Sequence, residues 1–579
     1  MSPTSPEAQQ RKRLITHGLP AVLLATVAFA LGISVGNDPA AEIEAVERFA
    51  QAWIDQDFAT MHTELTPAAQ AETSPEELQR QYEQAQETAT LVAIGAGEPR
   101  GPLEQAGEKI VALPLVIETT AFGEISGELA VPVEEGAIAW RQSMVFPGLA
   151  VEERLERVTE APERAPILAR DGSKLAEGPA SARVTNGTGG VVAGEIGEPP
   201  AERAKQMAGQ GFPEGTPAGN SGLELAFDGR LAGSPGGELR AVGGAEMRVI
   251  ASTKPTAGKP LKTTIDPALQ DASVAALGDL FGGIAVLDAR NGEIRALAGV
   301  AFSAPQPPGS TMKIVTTVAG LEAGVTSPKK EYPVETSNSS VEGYEIPNAY
   351  DEACGGTLIS SFAHSCNTVF GPMGVEIGAQ KFIEVSEKFG FNSPPTLYNE
   401  EALAAVQPAS STIPTPIEGD LELAFSALGQ GQVLATPLQM ASVAQTIANA
   451  GVRSPTSMVK DPELQSDAGE VEVTSPEVAD QLTTMMVEVI NSGTGSAAAV
   501  ADAQVAGKTG TAELGTPKEG VAIDPENPGD VEQEVDAWFA AFAPAAKPEL
   551  AIAVMIVNAE GDGGAIAAPI AQQVLAAGL

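Results

Sequence analysis

The chain has 579 residues, of which 43% are hydrophobic, so it is too long for a single core and apolar enough to fold as several domains. Its formal net charge of −42 argues against a nucleic-acid partner, because neutralising phosphates requires a basic footprint. With two cysteines and three histidines a structural zinc site is not expected, and a serine–histidine–aspartate triad is disfavoured because only His364 lies near another candidate residue; no cofactor is expected.

At the N-terminus, Arg11, Lys12 and Arg13 precede an apolar run over 14–35, about the twenty residues that a bilayer core requires. Basic residues before such a run hold that end in the cytoplasm. The expected arrangement is a cytoplasmic tail over 1–13, a transmembrane anchor over 14–36 and an extracytoplasmic remainder in a single-pass protein of the cell membrane. A cleaved signal peptide is the alternative, since Ala28, Phe29 and Ala30 form a small-x-small site. Either way the bulk is exported, which permits a disulfide between Cys354 and Cys366; two buried free thiols are the other option.

Beyond the anchor, Ile43, Val46, Phe49, Ala50, Trp53 and Ile54 recur at helical spacing, and alternating stretches at 109–117, 128–133 and 138–145 read as strands. A small α+β domain follows from these. A polar helical stretch is expected from Val151, and residues 185–244, dense in Gly, Pro, Ala and Glu, have the composition of a flexible linker. After Lys262 the pattern changes to a helix over 267–277, a strand over 283–288, an Asn291–Gly292 turn and a second strand over 293–300. A helix is expected from Ser310, more helices in the middle, strands at 505–513, 537–542 and 550–557, and a closing helix over 569–577. Helices inserted between the strands of one antiparallel sheet make an α/β sandwich, with its site where the layers meet.

The chemistry begins with Ser310 and Lys313 in Pro308-Gly309-Ser310-Thr311-Met312-Lys313. A spacing of three puts both side chains on one helical face, and a lysine acts as base if burial and a second cation keep it neutral. Ser327 with Lys330 and Ser457 with Lys460 share the spacing, but Ser327 precedes Pro328 and Ser457 lies in a loop-like stretch, whereas Ser310 opens an apolar helix after a Pro-Gly turn. Next, Ser365-Cys366-Asn367 follows a helix-like segment and offers a hydroxyl for proton relay and an amide for a substrate carbonyl; an ordinary helix cap reads the same way. Lastly, Gly507-Lys508-Thr509-Gly510-Thr511 lies on a strand, where Lys508 supplies positive charge, Gly510 admits a substrate backbone and Thr511 meets a terminal carboxylate. An edge strand protected by its lysine is the plainer reading.

In this order the three resemble the motifs S-x-x-K, S-x-N and K-T-G of the serine penicillin-recognising family. Gly429-Gln430-Gly431, Thr436-Pro437-Leu438-Gln439 and Ala537-Trp538-Phe539 extend the likeness across a transpeptidase domain at 262–579. Gly222-Leu223-Glu224 and Leu231-Ala232-Gly233 resemble the pedestal, or dimerisation, domain of class B penicillin-binding proteins, assigned to 151–260; this displaces the linker reading. Residues 39–150, with Trp140, Phe146 and Pro147, are similar to the cone-shaped domain resembling nuclear transport factor. The resemblance implies a multidomain α+β D,D-transpeptidase that cross-links peptidoglycan stem peptides through an acyl-enzyme on Ser310 and is acylated by β-lactams. It assigns Lys313 as base, Ser365, Asn367 and Lys508 to proton transfer and positioning, Thr509, Gly510 and Thr511 to substrate binding, and the Ser310 and Thr511 amides to an oxyanion hole. The cytoplasmic membrane and a partner glycosyltransferase complete the implied partners. The alternatives are a β-lactamase or D,D-carboxypeptidase, and a non-hydrolytic β-lactam sensor or scaffold of a wall-synthesis complex.

Overall fold

The computed structural model describes residues 41–517 and 533–579; the expected tail at 1–13 and anchor at 14–36 lie outside the described residues. Among the described residues no helix is long and apolar enough to cross a membrane. Packing divides the chain into two units, one up to Val158 with Glu238–Ser252 added, the other Thr159–Gly237 with Thr253–Leu579.

The first unit packs helices Ala41–Ile54, Phe58–Thr63, Pro67–Glu72 and Pro75–Ala89 with a five-stranded antiparallel sheet built around the long hairpin Glu108–Thr119 and Gly123–Glu134. Asp57, Thr66 and Ser74 cap three of these helices through their side chains, satisfying amides that a helix start leaves unpaired. Trp53 and Tyr82 meet edge to face at 5.0 Å inside the core. Two local expectations fail here. The alternation at 138–145 yields only a short strand, Ala137–Ile138, before a 3-10 turn, and the stretch from Val151 forms the strand Arg154–Glu160 and no helix. That strand is claimed by Gly236–Val242, about eighty residues further on, a pairing that local spacing cannot announce. Leu239 is fully buried in this core, which is why part of the expected pedestal segment packs with the first unit.

In the second unit, residues 159–237 form short strands and helices around a buried charge cluster. Arg164 Nε lies 2.9 Å from Glu224 Oε2, Arg183 Nε lies 2.7 Å from Glu224 Oε1, and Arg164 also reaches Asp228 at 2.9 Å. The linker composition therefore conceals an ordered, charge-paired core.

The rest is a sandwich on a sheet of β1 (Gly282–Asp288), β2 (Ile294–Gly299), β3 (Ala506–Pro517), β4 (Gln533–Ala543) and β5 (Leu550–Ala559), in the order β2-β1-β5-β4-β3. All neighbours are antiparallel, and β3 is an edge strand. Helices α1 (Pro267–Leu277) and α7 (Ala568–Gly578) pack together against the sheet, while α2 (Lys313–Glu322), α3 (Leu358–Ala363), α4 (Asn367–Ile377), α5 (Pro437–Ala448) and α6 (Pro476–Asn491) make up most of the inserted helical part. β1 and α5 are buried along almost their whole length, as central elements of a sandwich must be.

One buried group strains this core. Asp536 on β4 is fully buried; its Oδ1 accepts the Asn558 amide at 3.1 Å, and among the described residues its Oδ2 has no partner. Burial, assisted by the charge of Glu534, raises its carboxyl from 3.8 to about 6. With the folded value above the unfolded one, stability falls as pH climbs from about 4 through 6 and stays lowered above that. Asp536→Asn is expected to raise stability at pH 8 by about 2 kcal/mol and to change it little at pH 4. Thermal unfolding at both values checks this: an equal shift at the two would refute the assignment.

Candidate active site

The first motif is built on a tight turn. Gly309–Met312 is a 3-10 turn that feeds α2, so Ser310 sits one turn earlier than the regular helix begins. Gly309 has φ +52° and donates its amide to Gly429 O at 2.9 Å. A Cβ on Gly309 would stand 2.6 Å from Thr511 O, and one on Gly510 would stand 2.7 Å from Pro308 O. Both distances are below any tolerable contact, so two missing side chains are what allow the Ser310 turn to lie directly on β3. Ser310 itself is half-buried.

Two lysines converge on the second motif. Lys313 is fully buried, with Nζ 2.7 Å from Asn367 Oδ1, 2.8 Å from Ser365 O and 3.2 Å from Ser365 Oγ. Lys508, also fully buried, donates to Ser365 Oγ at 2.9 Å and to Thr509 O at 3.0 Å. The Ser365 hydroxyl therefore stands between two amines. Burial, and then the positive charge of Lys508, push the Lys313 amine well below its ordinary value, and burial brings Lys508 down to about 7. Loss of water around the Lys313 amine outweighs the oxygens that would favour its ammonium. A neutral amine on the turn above Ser310 is a competent base.

Ser365 follows α3 in the left-handed region at φ +60°, a conformation that costs a non-glycine residue about 1–3 kcal/mol. Two restraints hold it: the Ser365 and Cys366 amides donate to Phe362 O and Ser361 O, and a disulfide joins Cys366 to Cys354 across a separation of 12 residues. Asn367 opens α4 and turns its Nδ2 to Pro347 O at 3.0 Å. Replacing both cysteines by alanine is expected to lower stability by about 3 kcal/mol, because the bridge limits the unfolded chain. Urea unfolding of oxidised wild type against the double variant measures it, and an unchanged midpoint sinks the expectation.

On the third motif, Thr511 Oγ1 accepts the Gly563 amide at 3.3 Å and Thr511 O accepts Gln430 Nε2 at 3.4 Å. Thr509 is buried, its hydroxyl 2.5 Å from that of Thr494. Exposed Tyr350 donates to Asp562 Oδ2 at 3.0 Å, one residue before the Gly563 amide that binds Thr511. The competing pairs go elsewhere: Lys330 Nζ bonds Val325 O, Ser457 Oγ bonds Val459 O, and Lys460 Nζ bonds Arg170 O. Thr494 and Gln430 were not singled out as site residues by sequence reasoning; for Thr494 the available signal is its setting between Gly493 and Gly495, ahead of a strand.

Comparison with known proteins places the chain beside penicillin-binding proteins. A family model for the penicillin binding protein transpeptidase domain matches residues 282–576, and one for the penicillin-binding protein dimerisation domain matches 33–263. Peptidoglycan D,D-transpeptidase PbpA of Mycolicibacterium smegmatis is 32% identical over 423 residues, covering 62% of this chain and 80% of that protein. Penicillin-binding protein PbpB of the same organism is 30% identical over 407 residues, covering 61% and 60%. Among solved structures, a ceftriaxone acyl-enzyme complex of penicillin-binding protein A from M. tuberculosis superposes with a TM-score of 0.57 at 26% identity, covering 72% of this chain and 99% of that one.

Proposed function

This chain belongs to the penicillin-binding protein transpeptidase family, and from that premise we propose that Ser310 is its acylating nucleophile. It is a peptidoglycan D,D-transpeptidase. The observation that carries the assignment is the Ser365 hydroxyl held between the Lys313 and Lys508 amines, with Ser310 on the turn that starts the Lys313 helix. Lys313 takes the Ser310 proton as Oγ attacks the penultimate D-Ala carbonyl of a stem peptide. The Ser310 and Thr511 amides hold the oxyanion. The C–N bond to the terminal D-Ala then breaks, and Ser365 and Lys508 deliver the proton to that leaving amine. An acceptor amine attacks the resulting ester and gives up its proton to Ser365 and Lys508, the C–O bond to Ser310 breaks as Lys313 returns its proton to that oxygen, and a new amide cross-link is left. Thr509, Gly510 and Thr511 receive the donor's terminal carboxylate, and Asn367 orients the donor backbone. With a β-lactam the broken C–N bond stays tethered, so the acyl-enzyme persists.

On the same reading, residues 14–36 anchor the protein in the cytoplasmic membrane with the catalytic domain outside, 39–150 form the cone-shaped domain and 151–260 the pedestal. A membrane glycosyltransferase that supplies uncross-linked strands is the partner this arrangement suits. Peptide mapping after brief exposure to penicillin tests the central assignment: the penicilloyl adduct is expected on the peptide that holds Ser310 and should survive many minutes after dilution. An adduct on another serine overturns the nucleophile, and release within seconds with penicilloate formed moves the assignment to a hydrolase.

A further inference from the structure

Thr494 joins three parts of the site that the sequence keeps far apart. It lies in the turn after α6, and its amide donates to Ala363 O at 3.2 Å, at the end of the helix that leads into Ser365. A Cβ on neighbouring Gly493 would stand 2.2 Å from that same Ala363 oxygen. On its other side, Thr494 O packs against Gly564, where a Cβ would stand 2.4 Å away, and the adjoining Gly563 amide binds the Thr511 hydroxyl. Its own hydroxyl, on an exposed residue, is 2.5 Å from the hydroxyl of buried Thr509.

We propose that Thr494 is a positioning residue that sets the direction of the Thr509 hydroxyl and thereby the affinity of the K-T-G strand for a ligand's carboxylate. Two hydroxyls in contact have two arrangements, since one donates and the other accepts. When Thr494 donates, the Thr509 proton is free to point at an anion, and the pair becomes a chain, Thr494 to Thr509 to carboxylate. When Thr509 donates to Thr494, its lone pairs face the anion and repel it. A carboxylate therefore selects the first arrangement, and each bond in the chain strengthens the next. Without the Thr494 hydroxyl this bias disappears although the strand keeps its shape. The proposal rests on Thr509 and Thr511 receiving the carboxylate.

Second-order acylation rates with benzylpenicillin and with its methyl ester test it on the full chain. Wild type is expected to prefer the free acid, and Thr494→Val to lose about tenfold with the acid while staying within about twofold with the ester, the scale of one hydrogen bond to a charged group. Thr494→Ser, which keeps the hydroxyl, is expected to restore the preference. Equal losses on acid and ester, or a Thr494→Val rate matching wild type on both, overturn the role assigned to Thr494. If wild type itself does not distinguish acid from ester, the carboxylate reading of Thr509 and Thr511 falls, and this proposal with it.

Discussion

Ser310→Ala is expected to abolish covalent labelling by a fluorescent penicillin, a loss on the order of 10³-fold or more in acylation rate. The reason is geometric. Lys313 and Lys508 are both fully buried and both engage Ser365, and Ser310 is the spacing-matched serine on the turn before Lys313. Ser327→Ala and Ser457→Ala are expected to label as wild type does, because the lysines paired with them by spacing are bonded to backbone carbonyls at other places. The hydroxyl contributes little to packing, so the thermal midpoint of Ser310→Ala should stay close to that of wild type. Full labelling of the alanine variant, seen in gel and in intact mass, would discard the nucleophile assignment.

Lys313→Met is expected to slow acylation by about 10²–10⁴-fold, the range that removal of a general base produces. Methionine matches the length of the lysine stem and suits a fully buried place beside Phe370, whose ring centre lies 5.4 Å from the Lys313 Nζ. The same change removes an amine that burial and the nearby Lys508 make unfavourable to charge. Folding should therefore survive, and the variant is expected to be at least as stable as wild type at pH 6, where charging that amine would weigh most. Lys313→Arg is expected to lose as much activity, since a guanidinium cannot give up its proton. Rapid-quench acylation alongside thermal unfolding separates the two effects. A variant with nearly wild-type acylation would show that another group takes the Ser310 proton, whereas a strongly destabilised one would show that the bonds to Ser365 and Asn367 outweigh the burial of the amine.

The three motifs were legible because their chemistry is written in short spacings. A lysine three residues after a serine at a helix start shares its face, and a Lys-Thr-Gly run in an alternating segment belongs on a strand. The helix Pro267–Leu277 and the β1–β2 hairpin around Asn291-Gly292 were legible for the same reason, since a proline at the helix start and an Asn-Gly turn act locally. What local spacing could not show is the left-handed Ser365, whose conformation depends on α3 and the disulfide around it, or Thr494, whose amide, hydroxyl and carbonyl each face a different distant segment.

Composition misled where long-range pairing decides. Residues 185–244 look like a linker because glycine and proline dominate, yet Glu224 is fully buried between Arg164 and Arg183, and a charge is buried only where its partners are already in place. Arg154–Glu160 lies in the polar stretch expected to be helical; it is a strand completed by Gly236–Val242. The sequence by itself determined the kinds of groups and their order, Ser310 with Lys313, then Ser365 with Asn367, then Lys508 to Thr511, because side-chain chemistry and periods of two or 3.6 residues act within a few positions. Only the tertiary structure decided that Lys313 and Lys508, 195 positions apart, share the Ser365 hydroxyl and are both fully buried. The amine that can serve as base is a property of that shared burial, since removing water from a lysine takes neighbours from every part of the fold.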